Sequence, residues 1–380
     1  MAETIVYYQR FSHDQDRNVS GFFRINYAAL QGTGLLEQPH SHETHYADAA
    51  FEGIRAKADE GGNLALIHAE ESAARLWRSM GALSLRHSPS IPGLPPLPSD
   101  LERELQTYDS SSDVFVPEEF TPEHFQRLLI EAVQENVKAC TIHPLENKLY
   151  IRPVIHRASH PEGKLGVYSL QHDIVLRIIV QEWGDYLPNG LALVAYPDGV
   201  EDPMRRIKCS ANYALGSRAK NFAAAFPARS RLVTFDDALL TDNRGNIEEA
   251  TGANFFAITN GGTIATPSTM QYILEGNTRR TAITLARNLG FEVVERDITL
   301  PELSDMAAAF LTGTATGLRS IRLVYNPPSQ KVYSFDPQHE AFLALQSEFN
   351  NLITGGDVAP TNRSLQARVR SVIAPCNEAS

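Results

Sequence analysis

The stretch Asn246-Ile247-Glu248-Glu249-Ala250-Thr251-Gly252-Ala253-Asn254-Phe255-Phe256 decides how the second half of this chain folds. Ahead of it, Phe235 to Asp242 reads as a strand ending in a turn at Asn243 to Gly245. The stretch itself then reads as a strand, a tight glycine-bearing turn and a further strand. In a strand, adjacent side chains leave on opposite faces, so Glu248 and Glu249 cannot both face water. The one that turns inward needs a cationic partner, or it takes up a proton. The plainer alternative is that both lie in a solvated turn.

Outward from this stretch, three segments carry chemistry-bearing residues. Upstream, Ile207-Lys208-Cys209-Ser210-Ala211-Asn212-Tyr213 sets one lysine at the head of a helix-like run. In an interior cleft its amine would be a nucleophile for aldehydes; otherwise it is a solvated lysine at a helix start. Downstream, Glu275-Gly276-Asn277-Thr278-Arg279-Arg280 opens a helix that Gly290 closes. A helix start offers free N–H groups to a phosphate, although Asn277 as a simple N-cap fits equally well. Further on, Phe310 to Gly317 ends a strand in a hydroxyl-rich turn, Gly313-Thr314-Ala315-Thr316, suited to an anion. Each signal is weak alone. Their order, lysine, carboxylate, helix-start anion site and glycine turn, is the set that pyridoxal 5′-phosphate requires.

The first half reads as strands over Ile25 to Leu35, Ala49 to Lys57, Leu64 to His68, Tyr150 to Ile155, Ile174 to Val180 and Leu191 to Tyr196. Helices are expected over Glu70 to Ala82, and from Thr121-Pro122 with Phe125, Leu128, Leu129, Ala132 and Val133 as the buried stripe. Residues 87 to 118, dense in proline and serine, read as a surface excursion. The expected organisation is two-domain α/β: an N-terminal domain over 1–195, a linker at 196–204 and a cofactor-binding domain over 205–380.

With 380 residues and 43% hydrophobic side chains the chain can bury a large core without staples. Its 45 acidic against 34 basic residues give a net charge of −11, which argues against nucleic acid or an anionic membrane as partner. Three scattered cysteines suit neither a disulfide framework nor a metal site. With no signal-like N-terminus and no apolar run of membrane length, a cytoplasmic protein is expected.

Taken in order, Phe51-Glu52-Gly53-Ile54-Arg55, Tyr150-Ile151-Arg152-Pro153, Lys208 to Tyr213, Asn246 to Phe256 and Gly313-Thr314-Ala315 resemble the fold-type IV pyridoxal-phosphate enzymes. The resemblance is to the branched-chain amino acid aminotransferases in particular. It implies a small N-terminal α/β domain, a larger C-terminal domain around a barrel-like sheet, and a cofactor held between them. It also implies a homodimer, and an amino group moving between a hydrophobic amino acid and 2-oxoglutarate.

Residue by residue, Lys208 matches the lysine that holds the cofactor covalently and later moves a proton. Glu249 matches the carboxylate at the pyridinium nitrogen, and Tyr213 the phenol on the ring's 3′-oxygen. Arg75 matches the arginine on the phosphate, with Asn277, Thr278 and Thr314 completing that end. Thr314 and Ala315 match the turn for the substrate carboxylate, and Tyr46, Phe51, Tyr150 and Arg152 the first-domain pocket. A tryptophan implied just before the linker finds only Ala195-Tyr196-Pro197, and Ala250-Thr251-Gly252-Ala253 departs from the usual residues after the carboxylate. Rival readings are a sister D-amino acid or (R)-amine transaminase, an amino-chorismate-type lyase, a specialised-metabolism aminotransferase, and a non-catalytic binding scaffold.

Overall fold

The computed structural model describes residues 3–12, 15–26, 42–59, 63–86, 113–139, 149–158, 166–184, 187–197, 202–226 and 234–373. The expected turn at Gly32 and Gly34, the excursion between 87 and 112, and the middle of the expected linker lie outside them.

Among the described residues the strands form two sheets. The first uses β1 (Glu3–Phe11), β2 (Val19–Asn26), and, after the short helix α1 (His42–Tyr46), β3 (Ala50–Phe51), β4 (Ile54–Ala58) and β5 (Leu64–Ile67). Helices α2 (Ala69–Ala82) and α3 (Pro122–Lys138) follow, then β6 (Leu149–Arg157) and β7 (Ile174–Glu182). Both helices lie on one face of this sheet, where Leu76 and Met80 meet Phe125, Leu129 and Val133 over Leu66, Ile151 and Ile178. The start of α3 is as its sequence demands: Thr121 Oγ1 accepts the His124 N–H at 3.3 Å, with proline in the first turn.

The second sheet begins one strand earlier than expected. β8 (Leu191–Pro197) pairs in parallel with β9 (Asp237–Thr241), beyond α4 (Ser210–Ala225), and with a later strand over Gly317–Asn326. The boundary between sheets therefore falls after β7, ahead of 196–204. A run of apolar residues announces a strand but not its partner, and β8's partners arrive some 45 and 130 residues later.

The sheet continues through β10 (Ile247–Ala250), β11 (Asn254–Thr259) and β12 (Ile264–Thr266); α5 (Asn277–Asn288) leads to β13 (Val293–Glu295). Then come β14 (Met306–Gly313), β15 (Gly317–Asn326) and β16 (Lys331–Ser334). The order β10-β9-β8-β15-β14-β11 closes on itself through a β10–β11 pairing, which makes a six-stranded barrel. Alternate residues fill its inside (Leu193, Leu239, Phe255, Leu311, Ile321). Their neighbours Phe256 and Phe310 face α5 and α6 (Glu340–Thr354), while Val194 and Leu240 face α4. After α7 (Arg363–Val369), β17 (Arg370–Val372) returns to pair with β5, so the last described strand belongs to the first sheet rather than the second. Among the described residues no helix is long and apolar enough to cross a membrane.

Candidate active site

Backbone hydrogen bonds join the start of the first sheet's β3 to the segment that enters α4. Phe51 N–H donates to the Lys208 carbonyl at 3.2 Å and Ser210 N–H to the Ala49 carbonyl at 2.8 Å. Beside this seam opens a cleft of about 320 Å³, within the size range of small-ligand sites.

Lys208 stands between a short turn over Pro203–Arg206, capped by Asp202, and the first residue of α4. Its backbone is gripped from both sides, because its N–H also reaches Ser79 Oγ on α2 at 3.3 Å. The amine points into the cleft. It donates to Tyr213 Oη at 2.6 Å and lies 4.7 Å from the Phe51 ring centre, so it is not the solvated lysine of the plainer reading.

Glu248 and Glu249 leave β10 on opposite faces, and each meets one of the two fates open to a buried carboxylate. Glu248 takes the cation: Arg205 Nη1 lies 2.9 Å from both of its oxygens. Glu249 faces the cleft, and burial pushes its carboxyl up to about 7, against the lowering pull of Arg205, the Leu274 N–H and Lys208.

Asn277 does not cap α5. Gly276 is the N-cap and offers no side chain, while Asn277 Nδ2 donates to Ser72 Oγ at 3.1 Å and its Oδ1 accepts from Arg280. Asn277 and Thr278 thus line the cleft with the uncapped first turn of a twelve-residue helix. Arg75 lines the same end but already has a partner. Its Nε and Nη2 each lie 2.7 Å from the Glu52 carboxylate, and Nη1 donates to the Glu275 carbonyl at 3.0 Å. Burial opposes the guanidinium charge, yet Glu52 outweighs it and holds its pKa above the ordinary value.

The Thr314–Ala315 turn is held from behind by a residue that sequence reading left without a role. Arg55 of β4 donates to the Ala315 carbonyl at 2.8 Å, the Thr314 carbonyl at 3.3 Å and the Trp183 carbonyl at 3.2 Å. With these carbonyls taken by Arg55, the amide groups on the same peptides are better donors.

The pocket wall from the first sheet is aromatic. Arg152 lies 4.7 Å from the Phe51 ring centre and donates to Tyr150 Oη at 2.6 Å; the Tyr150 ring lies 5.1 Å from that of Trp183. Gly53 is required here, because a Cβ would collide with the Tyr150 phenol. Trp183, which follows β7 and lies outside the motifs read from the sequence, lines the same wall. Tyr46, by contrast, is 38% exposed on α1 and is not part of the cleft lining.

A family model for amino-transferase class IV matches residues 49–324. The chain belongs to this family. It is thereby a pyridoxal-phosphate-dependent transaminase. A probable branched-chain-amino-acid aminotransferase of Synechocystis sp. is 28% identical over 303 residues, which span 75% of this chain and 79% of that one. The branched-chain amino acid aminotransferase 2 of Humulus lupulus, chloroplastic, is 30% identical over 294 residues, 75% of this chain and 61% of its own. In fold, the chain matches the branched-chain aminotransferase of the thermophilic archaeon Thermoproteus uzoniensis with norvaline, at TM-score 0.68 and 21% identity over 98% of this chain and 100% of that one. The PLP-form branched-chain amino acid aminotransferase of Thermobaculum terrenum gives TM-score 0.69 at 20% identity, over 98% and 99%.

The transaminase's cleft fits this cofactor on its own chemistry. An amine, a carboxylate that readily shares a proton, and an uncapped helix start line one cavity. Thr312 Oγ1, buried in the same wall, has no hydrogen-bond partner among the described residues, as expected of a hydroxyl kept for a bound group.

The Arg75–Glu52 pair carries a prediction. Glu52→Gln leaves a buried guanidinium without its counter-charge and should destabilise the empty protein by about 3 kcal/mol. Adding pyridoxal phosphate should narrow the deficit if its phosphate reaches Arg75. Denaturant midpoints with and without the cofactor read both effects; equal deficits would show that Arg75 serves Glu52 alone.

Proposed function

We propose that this transaminase moves the amino group of a hydrophobic, branched-chain L-amino acid to 2-oxoglutarate. The names carried by the Synechocystis and Humulus relatives support the substrate class, and so does the aromatic wall formed by Phe51, Tyr150 and Trp183. The observation that carries the reading is the Lys208 amine, 2.6 Å from the Tyr213 phenol in the cleft that Glu249 also lines.

Pyridoxal phosphate, when bound, supplies an electron sink that acidifies the α-carbon of the amino acid held on it. The chain's own groups do the rest. Lys208 holds the cofactor and then carries the proton as base and acid. Glu249 keeps a proton on the ring nitrogen, and Tyr213 binds the ring oxygen. Arg75, Asn277, Thr278 and Thr314 hold the phosphate, while the Thr314–Ala315 amides and Arg152 receive the substrate carboxylate. The apolar wall excludes water from the side chain. Tyr46, outside the cleft of a single chain, would serve such a site only from a second copy. In our reading the working unit is a cytoplasmic homodimer in amino-acid biosynthesis.

An absorbance spectrum tests this directly. The loaded protein should show a long-wavelength band that bleaches with L-leucine and returns with 2-oxoglutarate. A band answering only to D-alanine or a simple amine would overturn the substrate class, and no band after adding pyridoxal phosphate would overturn the cofactor roles.

A further inference from the structure

Asn254 opens β11 and stands opposite Glu249 across the pairing that closes the barrel; on its other side it stands opposite Thr312. Paired residues share a face, so the Asn254 amide lies on the side of the Glu249 carboxylate. Its Nδ2 donates to Glu249 Oε2 at 3.0 Å and to the Leu274 carbonyl at 2.9 Å, one N–H for each. Leu274 N–H reaches Glu249 Oε1 at 3.4 Å. Both carboxylate oxygens are therefore held from outside β10, and one buried amide joins them to the segment that enters α5.

The other end of the same amide explains Gly276. Its backbone, at φ −71° and ψ 135°, suits any residue, so conformation does not call for glycine there. Space does: a Cβ at Gly276 would collide with Asn254 Oδ1. The helix start and the carboxylate thus close on one side chain from two directions. Around Glu249 the charged groups are Arg205 and Lys208, ahead of α4, and Glu248 on its own strand. Asn254 adds no charge, and what it supplies is direction.

We propose that Asn254 is a positioning residue of this transaminase, which fixes the rotation of the Glu249 carboxylate and ties it to the start of α5. The two ends of the cofactor are then gripped at a set separation. This rests on the assignment of Glu249 and α5 to the cofactor made above.

A double-mutant cycle on the dissociation constant for pyridoxal phosphate, measured on stripped and reloaded protein, tests it. Asn254→Ala should weaken binding about tenfold or more, and Gly276→Ala should act in the same direction by pushing the amide aside. With Glu249→Gln in place, each should change binding by less than about threefold, because the carboxylate through which each acts is gone. A purely structural role would give additive losses instead, and would overturn the proposal, as would wild-type affinity in both single variants. If Asn254→Ala does not fold, the Gly276→Ala pair completes the cycle. A wild-type protein that fails to take up pyridoxal phosphate overturns the cofactor assignment itself, a separate result.

Discussion

Replacing Lys208 with alanine should abolish amino transfer, by at least about ten-thousandfold, while leaving the fold in place. The structural half of this expectation follows from how the residue is held. Its carbonyl receives the Phe51 N–H and its own N–H meets Ser79 Oγ, contacts that belong to the backbone and survive any side chain. What disappears is the amine at 2.6 Å from Tyr213 Oη. Lys208→Arg separates charge from nucleophilicity: it keeps a cation near the phenol but cannot supply a neutral amine. Both variants should be inactive, and borohydride treatment followed by peptide mass measurement should label the Lys208 peptide of the wild type only. Activity within about tenfold of wild type in either variant would remove Lys208 from the chemistry.

Much of this site could be read before its geometry was known, where local rules sufficed. Two adjacent glutamates on a strand must part company, and they do. Glu248 goes to Arg205 and Glu249 to the cleft. Thr121 capping α3 and Gly290, at φ +90°, ending α5 are likewise decisions made within a few residues. What local reading misses is long-range. Arg55 works through the carbonyls of Thr314 and Ala315, some 260 residues away, and no motif rule reports a side chain that holds another segment's backbone. β8 joins the sheet that comes after it, because its partners β9 and β15 lie far along the chain. The return of β17 to β5 has the same origin: a strand of three residues, two half-buried and one exposed, says nothing about which edge it completes.

Glu249→Gln should pull function and stability in opposite directions. In the empty protein burial holds the Glu249 carboxyl at about 7, above its ordinary 4.5, so folding favours the protonated form. A raised carboxyl pKa contributes stability that is whole below the unfolded value and is lost as pH rises through the folded one. The wild type therefore gives up stability between about pH 4.5 and about pH 7 that the glutamine variant keeps. At pH 8 the empty variant should be the more stable by an amount on the order of 1–3 kcal/mol, and near pH 4 the two should coincide. If Glu249 faces the ring nitrogen as proposed, bound pyridoxal phosphate gives the carboxylate a counter-charge, and the stability advantage of the variant should shrink or reverse. Catalysis should fall about a hundredfold or more, since a neutral amide cannot keep the ring nitrogen protonated. Thermal midpoints of empty and loaded protein across pH 4 to 8, beside turnover at each pH, separate these effects. An empty variant less stable than wild type at pH 8 would mean that Glu249 is held ionised by its neighbours and costs the fold nothing. The cleft would then be arranged for a charge already present, rather than for one completed by the cofactor.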